Sequence, residues 1–248
     1  MSDFVVVIPS RYASTRLPGK PLRDINGKPM LQHVFERALE SGATEVVIAT
    51  DDARIADAAE SFGATVCMTG EHHQSGTERI AEVAEVMDWD DDQVVVNLQG
   101  DEPTMPAALI DQCAALLDDA AADIATLASP FQSDSDFDSP NCVKVVRDAN
   151  QHAIYFSRAA IPFARDEGSR ARAIGAALHH HGIYAYRCGV LRRLVKAPPS
   201  ELELCEQLEQ LRALSLGMTI VVGVPPVRPG AGVDTEADLA RAAKELSG

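Results

Sequence analysis

The stretch Ser10-Arg11-Tyr12-Ala13-Ser14-Thr15-Arg16-Leu17-Pro18-Gly19-Lys20-Pro21-Leu22 gathers cationic and hydroxyl side chains around a glycine. From Ser10 to Lys28 five residues are basic (Arg11, Arg16, Lys20, Arg23, Lys28) and one is acidic (Asp24), so the segment carries +4. Arginine offers a planar fork for phosphate and lysine a mobile point charge. Glycine lets backbone amides come close to an anion. The loop therefore suits a phosphorylated ligand. It contains neither G-x-x-x-x-G-K-[ST] nor a helix-opening G-x-G-x-x-G, which weighs against P-loop NTPases and dinucleotide dehydrogenases.

A second stretch, Gln99-Gly100-Asp101-Glu102-Pro103, places a carboxylate just past a glycine. Mg²⁺ is bound by one or two carboxylates together with phosphate oxygens, so Asp101 is a candidate ligand. In His73-Gln74-Ser75-Gly76-Thr77-Glu78-Arg79, Ser75 or Thr77 can cap the helix that follows. Gln74, Ser75 and the adjacent amides can equally read a nucleobase or ribose, and Arg79 can pair with an anion. Near the C-terminus, Gly230-Ala231-Gly232-Val233-Asp234-Thr235 precedes a helix, and Asp234 reads first as its N-cap. His179-His180-His181 is a run of three possible ligands, to be judged as it would stand on a strand. Neighbouring side chains there point to opposite faces, so the three cannot chelate one ion.

These residues need a scaffold. Phe4–Ile8, Glu45–Thr50, Ala64–Met68 and Gln93–Leu98 are short apolar runs, as expected of strands buried on both faces. Between them, Met30, Leu31, Val34, Phe35, Ala38 and Leu39 recur at helical spacing after Pro29. Ala53–Phe62 and Thr77–Met87 are further helices, the first capped by Asp51 or Asp52. This βαβα order predicts a doubly wound parallel α/β sheet. Ligands of such sheets bind at the carboxyl ends of the strands, where the basic loop and Asp101 fall. The second half predicts strands at Asp123–Ala128, Val143–Val146, Ala153–Phe156, Gly182–Tyr186 and Thr219–Val224. It also predicts helices at Leu202–Leu216 and Thr235–Leu246, the latter capped by Asp234 or Thr235. The expectation is one domain over residues 1–248 with an inserted β-rich portion at about 130–190.

Composition bounds the partners. The chain has 22 basic and 37 acidic residues, a net charge of −15. That argues against general affinity for nucleic acid or anionic lipid. No apolar run reaches the roughly 20 residues that span a bilayer, and the N-terminus has no basic region or cleavage site, so secretion is not expected. Cys67, Cys113, Cys142, Cys188 and Cys205 show no C-x-x-C pair and read as reduced thiols of a cytoplasmic protein. Removing the +4 of Ser10–Lys28 leaves −19 on the rest, an acidic body with one basic loop.

Taken together, the motifs resemble those of the 3-deoxy-manno-octulosonate cytidylyltransferases (CMP-Kdo synthetases). The three blocks at 11–22, 73–79 and 99–103 carry the likeness. It continues through Asn141-Cys142-Val143-Lys144-Val145-Val146, Tyr155-Phe156-Ser157-Arg158, Gly182-Ile183-Tyr184, Leu208-Glu209-Gln210-Leu211-Arg212 and Gly232-Val233-Asp234-Thr235. The first block alone also resembles cytidylyltransferases for sialic acids. Departures are small: Ser10 stands where the family often has alanine, and His179 and His181 flank the matching His180.

The resemblance implies a Rossmann-like, mostly parallel sheet of the nucleotide-diphospho-sugar transferase type, with a β-rich dimerisation insertion. It implies transfer of CMP from CTP to Kdo, with release of pyrophosphate, for lipopolysaccharide biosynthesis by a Mg²⁺-dependent homodimer. Arg11, Ser14, Arg16 and Lys20 would belong to the CTP loop, and Gln74, Ser75 and Gly76 would lie by the cytidine. Asp101 and Asp234 would be metal ligands, which overrides the N-cap reading of Asp234. Arg16, Lys20, Asp101 and Asp234 would be the catalytic set. Arg79, Gln99, His180, Tyr184, Glu209 and Gln210 would face Kdo, and the segment around 142–187 would form the dimer contact. Another acidic sugar, such as a sialic acid or an 8-amino relative of Kdo, is the nearest rival substrate. A nucleotide-binding regulatory module is the rival from another class.

Overall fold

The structure is a computed structural model that describes residues 3–14, 17–118 and 122–247. Its first strand, β1 (Phe4–Ser10), leads into the basic loop, which closes with a single 3₁₀ turn at Lys20–Leu22 and a two-rung hairpin, β2 (Asp24–Ile25) and β3 (Lys28–Pro29). Then follow α1 (Met30–Leu39), β4 (Glu45–Thr50), α2 (Ala53–Ser61), β5 (Thr65–Met68), α3 (Gly76–Val86) and β6 (Val94–Asn97). The second half runs α4 (Ala107–Ala115), β7 (Ile124–Ser129), α5 (Asp134–Asp138), β8 (Lys144–Arg147), β9 (Ala153–Ser157), α6 (Glu167–Ala176) and β10 (Leu178–Arg187). It ends with α7 (Cys188–Lys196), α8 (Glu201–Glu206), α9 (Gln210–Ser215), β11 (Ile220–Gly223) and α10 (Glu236–Glu245).

The strands form one sheet in the order β11-β7-β10-β6-β1-β4-β5, with β8 joined to β10 and β9 joined to β8. The pairs β6–β1, β1–β4, β4–β5 and β11–β7 are parallel, and β10 runs antiparallel between β6 and β7. The doubly wound, mostly parallel reading therefore holds. Strands β1, β4 and β6 are almost wholly apolar because both of their faces are covered. Phe4, Val6 and Ile8 of β1 pack with α1, α2 and α4, while Val5 and Val7 pack on the other side with α3, α7 and α9.

Several elements differ from the sequence expectation. The helix expected over 202–216 is two helices, broken at Gln207, whose φ of 51° is left-handed. Its leucines do not form one apolar stripe: Leu202 and Leu204 are exposed, while Leu208, Leu211 and Ala213 are buried. The expected strand Gly182–Tyr186 starts earlier, at Leu178, and so takes in the histidine run. Helices α4, α6 and α7 were not expected at all; tertiary packing supplies their apolar partners.

The α8–α9 break is held by a buried ion pair. Arg212 donates from Nε and Nη2 to Glu203 at 2.8 and 2.6 Å, and from Nη1 to the Ala197 carbonyl at 3.3 Å. Glu203 also completes the capping box of α8 with Ser200. Removing one partner strands the other charge in the interior, so Arg212→Ala is expected to lower unfolding stability by about 3–5 kcal/mol. Urea denaturation checks this, and a loss below about 1 kcal/mol would remove the pair from the fold's supports.

Candidate active site

The carboxyl ends of β1 and β6 open into a cavity of about 730 Å³. Pro9, Ser10, Arg11, Ala13, Ser14, Lys20 and Pro21 form one wall, His73 to Gly76 and Arg79 another, and Gln99, Gly100, Asp101 and Asp234 the floor. Arg11, Ser14, Lys20, Gln74, Ser75 and Gly76, all expected at a nucleotide, thus line one space. Arg16 lies outside the described residues.

Lys20 joins the floor to the wall. Its Nζ donates to Asp101 Oδ2 at 2.6 Å and to Asp234 Oδ1 at 3.0 Å. Burial would lower the Lys20 ammonium, but the charge and hydrogen bonds of Asp101 and then Asp234 outweigh it and raise its pKa. Asp234 is brought there by a small separate core. Leu17 and Ile25 beside the basic loop pack with Met30, Val233, and Leu239 and Ala242 of α10. The Val233 amide donates to the Asp101 carbonyl at 2.9 Å. Arg23 clamps Glu236 through two bonds of 2.7 and 2.9 Å. The N-cap of α10 is Thr235, in a capping box with Asp238, so the capping expectation for Asp234 is corrected. Its carboxylate is turned to Lys20 instead.

Glu102 was not expected in the site. It sits against Gly232, where an added Cβ would come within 3.0 Å of its Oε1. Burial, then the Asp101 charge, pushes its carboxyl up to about 8. Lys20 faces the two carboxylates of Asp101 and Asp234 with one ammonium. Among the described residues no cluster of three or more His, Cys, Asp or Glu forms a metal site by itself. Two converging carboxylates with room for phosphate do suit Mg²⁺, which completes its shell with substrate oxygens and water.

A second cavity of about 270 Å³ adjoins the first. Gln99 and Gly76 line both. The smaller space is also lined by Thr77, Asn97, His180, Gly182, Tyr184, Tyr186, Glu209 and Gln210. Five residues expected at the acidic sugar, Gln99, His180, Tyr184, Glu209 and Gln210, therefore meet here. The antiparallel β10 makes this possible, because its early residues lie over the carboxyl ends of β6 and β7.

Glu209 ties the cavities together. It accepts from Ser75 Oγ at 3.1 Å and from Thr77 Oγ1 at 3.0 Å. Burial raises its carboxyl, and those two hydroxyls oppose the rise. Ser75 therefore both caps α3, through the Glu78 amide at 3.2 Å, and reaches the site. The Gln210 Nε2 is buried with no hydrogen-bond partner, a donor available for a polar ligand.

Arg79, expected on the sugar side, lines the larger cavity. Its buried guanidinium donates to Asp51 Oδ2 at 2.6 Å, to Thr69 Oγ1 and to the Gly70 carbonyl at 3.5 Å. Helix geometry explains it: Arg79 is three residues beyond Gly76 and shares its face, while Thr77 is turned towards the other cavity. Thr77, Asn97, Tyr186 and Asp51 were missed. Thr77 stood in a quoted motif and carried a signal; the others are placed by packing alone.

The histidines divide as the strand period requires. His179 and His181 are on one side, with ring centroids 5.4 Å apart. His180 bonds Thr126 Oγ1 through Nε2 at 3.0 Å and packs edge-on against Phe156.

The comparisons with known proteins agree with this geometry. The family profile described as Cytidylyltransferase matches residues 5–220. A 3-deoxy-manno-octulosonate cytidylyltransferase of Yersinia enterocolitica (serotype O:8 / biotype 1B) is 54% identical over 241 residues, 96% of each chain. The solved structure of a CMP:2-keto-3-deoxy-manno-octonic acid synthetase complexed with CTP is 42% identical, with a TM-score of 0.91 over 99% of both chains. A cytidylyltransferase from Leptospira borgpetersenii shares the fold at 18% identity, with a TM-score of 0.64 over 99% of this chain and 87% of its own.

His181 generates a stability prediction. Burial, then the His179 and Arg228 charges, lowers its pKa to about 3. An unfolded histidine takes up its proton near pH 6.5, whereas folded His181 does not until about pH 3. Between those values the unfolded state binds more protons, so stability falls as pH falls. Urea titrations near pH 7 and pH 5 are expected to show a smaller acid-side loss in His181→Gln than in the wild type, by roughly 1–2 kcal/mol. Equal losses would contradict the buried neutral imidazole. By profile, sequence and overall structure alike, the chain belongs to the 3-deoxy-manno-octulosonate cytidylyltransferase family.

Proposed function

We propose that this protein transfers CMP from CTP to 3-deoxy-D-manno-octulosonate (Kdo), forming CMP-Kdo and pyrophosphate for lipopolysaccharide biosynthesis. The observation that carries the reading is the pair of adjoining cavities sharing Gln99 and Gly76, one walled by the basic loop and the other by polar groups of β10 and α9.

The larger cavity takes CTP. Arg11, Ser14, Arg16 and Lys20 hold the triphosphate, and Gln74, Ser75 and Gly76 lie by the cytidine. The smaller cavity takes Kdo against Gln99, His180, Tyr184, Glu209 and Gln210. Arg79, whose guanidinium Asp51 holds at the wall of the larger cavity, is the sixth residue of the Kdo side. The anomeric hydroxyl of Kdo, its proton passing to water, attacks the α-phosphorus in line, the bond from that phosphorus to the α,β-bridging oxygen breaks, and pyrophosphate leaves. Both substrates are anionic, so holding them together is the main obstacle. The arginines and Lys20 neutralise the triphosphate and the departing charge. Neutral His180 and the Tyr184 hydroxyl, whose pKa burial raises well above 10, present uncharged hydrogen-bonding groups to the sugar. Asp101 and Asp234 would hold Mg²⁺, which supplies phosphate neutralisation and lowers the pKa of a bound hydroxyl.

We read residues 1–248 as one nucleotidyltransferase domain with an insertion at about 130–190, and the working form as a homodimer. Support for the dimer comes from Phe163, 85% exposed, and Ile154, 60% exposed on β9, a strand paired only with β8 among the described strands. A cytoplasmic setting is supported by the five free cysteines. No helix of the described residues is long and apolar enough to cross a membrane.

The test is pyrophosphate release with each nucleoside triphosphate, Mg²⁺ and a panel of acidic sugars. Release is expected with CTP and Kdo; release only with a sialic acid, or with no sugar in the panel, overturns the reading. Asp101→Asn is expected to lower kcat by at least about 100-fold with the fold intact by circular dichroism. Lys20→Ala is expected to weaken CTP use, and unchanged kinetics would leave that lysine as surface charge.

A further inference from the structure

Two residues of the CTP loop do not line the cavity they serve. Arg11, Ala13, Ser14, Lys20 and Pro21 face the nucleotide space, whereas Tyr12 and Gly19 lie behind them. The Tyr12 ring is wedged between two groups. On one side is Gly19, held in the left-handed region at φ 63°. A Cβ there would stand 3.1–3.3 Å from the Tyr12 hydroxyl, Cζ and Cε2. On the other side is the guanidinium of Arg54 in α2, whose Cζ lies 3.3 Å from the ring centroid.

That guanidinium is itself oriented. Its Nε and Nη2 donate to Asp52 Oδ1 and Oδ2 at 2.9 and 2.6 Å. Asp52 is the N-cap of α2, accepting the Arg54 amide at 3.0 Å, and its own amide donates to the Thr50 hydroxyl at 3.2 Å. Thr50 is the fully buried last residue of β4. The neighbouring Asp51 holds Arg79 on the opposite wall. One corner, between β4 and α2, thus grips both sides of the nucleotide cavity.

We propose that Arg54 and Tyr12 form a brace that positions the CTP loop. The stacked pair keeps Arg11–Ser14 and Gly19–Pro21 at the separation that lets Lys20 reach Asp101 while Arg11 faces the triphosphate. Neither residue touches the reacting atoms; both are positioning residues. The inference rests on the reading of this loop as the CTP site.

The experiment measures CTP binding by calorimetry without sugar, steady-state kinetics for both substrates, and thermal midpoints. It uses the wild type, Arg54→Ala, Tyr12→Leu, the double variant and Tyr12→Phe. Arg54 is solvent-exposed on its outer side, so Arg54→Ala is expected to fold with an unchanged midpoint. It is expected to raise the KM and Kd for CTP about 2- to 5-fold, the size of an exposed guanidinium–aromatic stack. The kcat at saturating CTP and the KM for Kdo should stay within about twofold. Tyr12→Phe, which keeps the ring, should resemble the wild type. The double variant should be no worse than the worse single one, because the two act as a unit. Wild-type protein that takes up no CTP overturns the functional reading and the brace with it. Wild type that binds CTP beside an Arg54→Ala that binds it equally overturns the brace alone. So does an Arg54→Ala that loses thermal midpoint and both KM values together, since that is a general structural defect.

Discussion

The contact on which the site depends is the ammonium of Lys20 between Asp101 and Asp234. Its three members come from the loop after β1, the loop after β6 and the segment before α10. Bringing two carboxylates together costs energy unless a cation stands between them. Lysine meets that need through a mobile four-carbon stem. On the function proposed above, a triphosphate at the basic loop would compete for the lysine, and Asp101 and Asp234 would hold Mg²⁺. The Glu102 carboxyl beside them is pushed up to about 8, first by burial and then by the Asp101 charge.

The remainder of the fold keeps that contact in place. Two apolar layers clamp the sheet from both faces, and a third small core fastens α10 to the β2–β3 hairpin. The third core is the one closest to the chemistry. It is built from residues as far apart as Leu17 and Ala242, and without it the segment carrying Asp234 has no apolar anchor against the basic loop. The second cavity depends on a different device, the antiparallel insertion of β10 between β6 and β7. A parallel strand there would carry its early residues to the opposite edge of the sheet, away from Gln99.

Glu209 shows how the two spaces are made to act together. It sits just before α9, at a helix break stabilised by the Arg212–Glu203 pair, and accepts hydroxyls from Ser75 and Thr77 at the start of α3. One hydroxyl belongs to the nucleotide wall and the other to the smaller cavity. One carboxylate thus joins a residue of each cavity through the first turn of α3.

The sequence by itself determined the local features. Short apolar runs specify strands covered on both faces, and 3.6-residue spacing specifies α1, α2 and α3, because these depend on a residue's immediate neighbours along the chain. The +4 segment after β1 and the carboxylate after β6 were legible for the same reason, since a doubly wound order places both at one edge of the sheet. Tertiary structure alone decided the rest. The N-cap preference for Asp234 is sound local chemistry, yet Thr235 takes that task once the third core turns Asp234 towards Lys20, 214 positions away along the chain. Arg79 could pair with any anion until Asp51 was folded against it. The 202–216 helix broke because its leucines had two different surroundings. Each of these outcomes turns on which distant side chain arrives, and that is set by packing and register, which the order of residues along the chain does not display.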